Sequence, residues 1–179
     1  MQLQGLIHDR SAFAGMRSFE RFQTRDLEEA RRWGTRVFCE NDLRSLDARK
    51  PVNAHMAYRR LNGIGIGRMS YGGEVNIEPG LLDTFYLIQM PMSGSERIEC
   101  GGEITQTSAA LGSVLNSHRP VRIRHAERTE KLILRVDRDL LDRHCRQHLG
   151  GSLPDPVVFD TAMPLDTASG QRWMRTMHW

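Results

Sequence analysis

The stretch from Arg68 to Ile104 constrains the fold most. Two Gly-Gly-Glu turns, Gly72-Gly73-Glu74 and Gly101-Gly102-Glu103, flank a nearly continuous apolar run from Phe85 to Met92. A Gly-Gly pair supplies the positive φ angles that a tight two-residue turn demands, so each pair is expected to fold one strand back on the next. The centre of the molecule is therefore expected to be a hairpin sheet.

Around this stretch the sequence keeps a period of two from Pro51 onward. Ala54 to Leu61, Ile64 to Tyr71, Glu74 to Ile77, Asp83 to Met92 and Glu96 to Cys100 read as short strands, as do Glu103 to Thr107, Leu111 to Asn116, Val121 to His125 and Lys131 to Val136. Turn residues separate them: Asn62-Gly63, Gly72-Gly73, Pro79-Gly80, Ser93-Gly94, Gly101-Gly102 and His118 to Pro120. Many short strands at close spacing predict an antiparallel sandwich or barrel. In Val121 to His125 the alternation puts Val121, Ile123 and His125 on one face and two arginines on the other. The run from Phe85 to Met92 is apolar on both faces, as expected of a strand covered on each side. Pro91 lacks a backbone N–H and should mark a bulge or an edge position.

Helices are expected on either side of the strands. Residues up to about Arg25 show no period. Asp26 then caps a helix over 26–41, with Glu29 three residues on to reach back. A second helix is expected over 137–149, with Leu140, Leu141, Cys145 and Leu149 as its stripe and Gly150-Gly151 as its stop. A third opens at Asp166 or Thr167 and carries Trp173, Met174 and Met177 at helical spacing.

At 179 residues with 39% hydrophobic content, one domain with appendages is expected. The formal charge of +3 is too small to imply a nucleic acid or an anionic membrane as partner of these residues. Three widely spaced cysteines include no Cys-x-x-Cys pair, which fits a reduced compartment. The start MQLQGLIHDR lacks the pattern of a signal peptide, and no apolar run is long enough to span a membrane, so a cytoplasmic location is expected.

No catalytic set emerges. His-x-His is absent, and His55, His118 and His125 stand alone, so no metal or other cofactor is expected. His144 and His148 lie four apart on one helical face without a third ligand in reach. Gly63-Ile64-Gly65-Ile66-Gly67 departs from G-x-G-x-x-G and is better explained by close strand packing than by a phosphate loop. What remains is a binding cavity inside a small antiparallel barrel. Tyr58, Arg60, Arg68, Tyr86, Gln89 and His125 are its candidate lining residues. They suit an aromatic or carboxylate-bearing molecule, with Arg68, and after it Arg60, pairing the carboxylate.

Several of these segments together resemble a known family. Arg68-Met69-Ser70-Tyr71-Gly72-Gly73-Glu74-Val75, then Pro79-Gly80, Phe85-Tyr86-Leu87-Ile88-Gln89 and Ser93-Gly94, continue into Gly112 to Asn116, Glu130 to Val136 and Leu140 to His144. In this order and spacing they are similar to the N-terminal effector-binding domain of AraC/XylS-type bacterial transcription regulators. The resemblance implies a mainly β fold, a cupin-like antiparallel β-barrel (double-stranded β-helix) with flanking α-helices. It further implies a small-molecule effector, a homodimer, no enzymatic activity, and DNA binding through a C-terminal helix-turn-helix part absent from this chain. On this reading residues 1–165 form the effector domain, with the barrel over 54–136, and 166–179 begin a helical linker. Leu141, Trp173 and Met177 are then the candidate dimerisation residues. A metal-dependent cupin enzyme and a pure dimerisation module are the alternatives.

Overall fold

The computed structural model describes residues 19–151 and 155–177. In chain order the first elements are β1 (Glu20–Thr24), α1 (Leu27–Val37), β2 (Asp42–Ser45), β3 (Ala54–Leu61) and β4 (Ile64–Ser70). Then come β5 (Val75–Gly80), β6 (Phe85–Ser93), β7 (Glu96–Cys100), β8 (Glu103–Gln106), β9 (Leu111–Leu115) and β10 (Val121–His125). The chain continues through β11 (Glu130–Asp137), α2 (Arg138–Leu149), β12 (Ala162–Pro164) and α3 (Ala168–Thr176).

The strands form two antiparallel sheets. One has the order β1-β3-β4-β11-β6-β9-β12 and the other β2-β5-β10-β7-β8. They face each other as a jelly-roll-like sandwich, and neither sheet closes into the expected barrel. The two Gly-Gly turns part company here. Gly101 and Gly102, at φ 59° and 88°, close a two-residue hairpin in which Cys100 lies opposite Glu103. Gly72, at φ 65°, instead carries the chain from the seven-stranded sheet to the five-stranded one, since β4 and β5 do not pair. A Cβ at Gly72 would lie 2.6 Å from the Asn53 carbonyl oxygen, so the crossing tolerates no larger residue.

β1 lies in the stretch expected to be irregular. It pairs with β3, placing Phe22 opposite Met56, and Phe22 stacks on Trp33 of α1 at 5.4 Å. At an edge strand only alternate residues are covered, so the apolar signal in Glu20–Thr24 is weak. The α1 helix starts where expected: the Asp26 carboxylate accepts from the Glu29 N–H at 3.0 Å. Glu29 does not return the bond to the Asp26 backbone. Its carboxylate accepts from the Thr24 hydroxyl, and Thr24 Oγ1 accepts from the Asp26 N–H, so the capping box runs through a relay. The helix stops at Val37, short of residue 41, and Phe38, Cys39 and Asn41 turn inward toward the sandwich.

Both faces of β6 are covered. Phe85, Leu87 and Gln89 look between the sheets, while Tyr86, Ile88 and Met90 look outward. The register with β11 shifts between Lys131, opposite Pro91, and Glu130, opposite Ser93, which leaves Met92 as the extra residue of a bulge beside the proline. On the outer face Met90, Leu134 and Leu165 are buried under Trp173, Met174 and Met177 of the α3 segment. Thr167 caps α3 by accepting from the Gly170 N–H at 3.1 Å.

Candidate functional site

Between the sheets, most of the interior is aromatic and aliphatic. Tyr58 lies across β4, where a Cβ at Gly65 would fall 1.9 Å from its hydroxyl oxygen. The glycines of β4 therefore make room for this ring. Tyr58 meets Trp33 and Phe38 edge-on at 6.4 and 5.6 Å, and Arg135 lies over the Phe85 ring at 4.3 Å.

At the other end the interior is polar. Lys131 on β11, Gln89 on β6 and Ser113 on β9 come from the seven-stranded sheet, and Glu96 on β7 and His125 on β10 from the five-stranded sheet. All five are at most 1% exposed. Lys131 Nζ donates to Glu96 Oε1 at 2.5 Å and to Gln89 Oε1, and Gln89 Nε2 donates to Ser113 Oγ at 3.3 Å. The His125 ring lies edge-on to Tyr71 at 5.2 Å and approaches Glu96 Oε1 through Nδ1 at 2.7 Å.

Burial alone would push the Glu96 carboxyl up, but the Lys131 charge and the His125 hydrogen bond outweigh it and hold the group at about 2. Burial pushes the His125 imidazole down despite its carboxylate neighbour. A neutral His125 then carries its proton on Nδ1 and donates it to Glu96. Glu96 Oε2 and His125 Nε2 remain buried without a hydrogen-bond partner. The network thus holds one buried carboxylate and one buried ammonium against each other, the arrangement that lets either charge survive out of water.

Next to this network is a cavity of about 50 Å³. Met69, Tyr71, Ile77, Leu87, Leu115 and Ile123 contribute apolar wall, and Gln89 and Lys131 supply polar groups. Gly34, Phe38, Cys39 and Asn41, from the end of α1 and the turn after it, add to the lining. Among the described residues no group of three or more His, Cys, Asp and Glu side chains could hold a metal; Glu96 and His125 are only a pair.

The six candidate lining residues separate in space. Gln89 reaches the cavity, His125 lies in the network behind it, and Tyr58 fills the neighbouring aromatic interior. Arg68 is on the outer face with Ile66 and Leu132 and pairs with the Glu130 carboxylate. Arg60 lies at the exposed end of β3, 2.5 Å from Asp137. Tyr86 also points outward, donating from its hydroxyl to the Val157 carbonyl at 2.7 Å and meeting Phe159 edge-on. Neither arginine offered to a carboxylate therefore reaches the cavity. Lys131 and Glu96 were absent from the candidate set, although strand parity marks both: Lys131 shares a face with Ile133, and Glu96 with Ile98 and Cys100. Trp173 and Met177 lie against the outer sheet face of their own chain, the Trp173 indole N–H 3.2 Å from Met90 Sδ, while Leu141 is half-buried on α2.

Two facing antiparallel sheets with an apolar cavity between them define a jelly-roll-like domain. The chain belongs to the family of AraC-binding-like domains, whose family model matches residues 30–179. It is similar to a probable thc operon regulatory protein of Rhodococcus erythropolis, with 27% identity over 160 residues, covering 83% of this chain and 46% of that protein. The chain thus spans about half the length of this curated relative. Its fold is similar to that of the AraC-like transcriptional activator CuxR, with a TM-score of 0.63 at 16% identity over 88% of this chain and 60% of the other.

Proposed function

We propose that this chain is the ligand-sensing part of a bacterial transcription regulator, and that a small effector with an aromatic-sized apolar body binds between the two sheets. The observation that carries the reading is the small cavity between the sheets, apolar over most of its wall, with Gln89 and Lys131 supplying polar groups. A cavity of about 50 Å³ is smaller than the ~150 Å³ of an engineered cavity known to hold benzene. An effector of that size therefore displaces the part of the lining formed by Phe38, Cys39 and Asn41. This displacement couples binding to α1, and through α1 to the equilibrium of the attached regulator.

In this reading the protein is a cytoplasmic non-enzyme. DNA contact resides in a part of the regulator outside this chain, and the protein works as a homodimer. Of the three dimerisation candidates, Trp173 and Met177 already cover their own sheet. Leu141 is left, on a helix with no buried residue whose Leu149 is 73% exposed. Sedimentation of Leu141→Glu should show a lighter species than the parent chain; equal masses would remove α2 from the dimer.

Calorimetric titration with small aromatic compounds tests the pocket. A saturable binder is expected whose affinity falls by about tenfold in Gln89→Leu and stays unchanged in Arg68→Ala, since one hydrogen bond is worth roughly 1–1.5 kcal/mol. Binding that ignores Gln89→Leu and weakens in Arg68→Ala would move the site to the outer face.

A further inference from the structure

The charge balance around the cavity narrows the effector to one chemical class, given the pocket proposed above. Among the described residues Lys131 is the only lining residue that carries a full charge. Its partner is already in place: Glu96 lies 2.5 Å from Nζ, fully buried, with His125 on the same carboxylate oxygen. Arg68 pairs with Glu130 on the outer face and Arg60 with Asp137 at the strand end, so neither adds positive charge to the cavity. Cys39 and Tyr71, the other titratable groups in the lining, are held in their neutral forms by burial.

A carboxylate entering this space would share one ammonium with Glu96 and leave one buried negative charge in excess. A cation would meet Lys131 with no free anion beside it. Either arrangement carries the penalty of an uncompensated buried charge.

The spare hydrogen-bonding capacity of Lys131 and of the Gln89 amide nitrogen points the same way. An ammonium has three donors, and Lys131 uses two of them, on Glu96 and Gln89. Gln89 uses one amide N–H on Ser113. Lys131 and the Gln89 amide nitrogen thus bring spare donor capacity to the cavity, from the third N–H of Lys131 and the second of Gln89, while Tyr71 and Asn41 add polar groups elsewhere in the lining. We infer that the effector is an uncharged molecule with an apolar, aromatic-sized body and a hydrogen-bond acceptor such as a carbonyl oxygen, and that this oxygen docks on Lys131 and Gln89.

Four probes of similar size test this on the whole chain: acetophenone, ethylbenzene, benzoate and benzylammonium, each followed by calorimetry and by the shift in melting temperature. Acetophenone should bind saturably, ethylbenzene about tenfold more weakly for want of the acceptor, and both ions about 100-fold more weakly or not at all. Benzoate binding as tightly as acetophenone, lost in Gln89→Leu, would overturn the neutral class while keeping the pocket. Ethylbenzene matching acetophenone would overturn the acceptor. No saturation by any of the four would contradict the pocket itself. Glu96→Gln should turn the preference toward benzoate, because it leaves Lys131 without its anion; an unchanged ranking in the folded variant counts against the inference. If that variant fails to fold, the ranking in the parent chain decides.

Discussion

The two faces of β6 solve the same burial problem with different chemistry. Outward, Ile88 and Met90 lie under Trp173 and Met163 in an apolar cluster, and the Arg68–Glu130 pair on that face is only partly buried. Inward, Phe85 and Leu87 give way at Gln89 to a network containing a buried lysine and a buried glutamate. The outer face is sealed by the α3 segment; the inner face keeps a cavity beside its polar groups. Buried ion pairs add little net stability compared with apolar packing. The inner arrangement is therefore hard to explain by stability alone, whereas recognition of a polar group gives it a use.

This contrast can be broken from either side. The largest effect is expected for Lys131→Met, which strands the Glu96 charge and should cost about 3–5 kcal/mol in urea unfolding. Adding Glu96→Gln should restore most of that loss, and a single-variant cost under ~1 kcal/mol would mean the pair is hydrated after all. On the outer face, Met90→Ala should cost about 2–4 kcal/mol by opening a cavity under Trp173 while leaving effector affinity unchanged. A change in affinity would connect the two faces.

Acid sharpens the contrast, because the inner face holds fully buried groups that titrate on the acid side. The folded His125 has a pKa below its ordinary 6.5, so as pH falls below 6.5 the unfolded chain takes up the proton first and stability declines. Glu96 follows the same sign lower down: its contribution is complete above 4.5 and is lost as pH falls toward about 2. Melting temperature should drop from pH 6.5 downward in the parent chain and less steeply in His125→Gln; parallel curves would deny His125 its neutral buried state. The smallest effect is expected for Arg68→Ala, under ~1 kcal/mol, because its pair with Glu130 is partly exposed.

The nine strands from Ala54 to Val136 were legible because most alternate over several residues, whereas β1, β2 and β12 carry no such signal; the helix caps were legible because Asp26 and Thr167 sit where helical spacing begins. Sheet closure was not. A Gly-Gly pair supports a hairpin and a crossover equally well, and only partner strands distinguish Gly72 from Gly101. Within the site the signal at β4 was inverted. Its inner positions are Gly65, Gly67 and Met69, two of them glycines beside Tyr58, whereas the apolar Ile66 lies outward under α3 with Arg68 on the same side. A face that carries isoleucine reads as interior when a helix covers the outside of the sheet. Lys131 and Glu96 lay in plain alternation, but charged residues at strand starts read as solvated until a partner across the sandwich is known.

Methionine methyl resonances test the central claim most directly, because Met69 lines the cavity and Met90 lies on the opposite face of the same sheet. On titration with acetophenone the Met69 methyl signal should shift saturably while the Met90 signal stays in place. A saturable shift at Met90 with Met69 unmoved would contradict an effector site between the sheets.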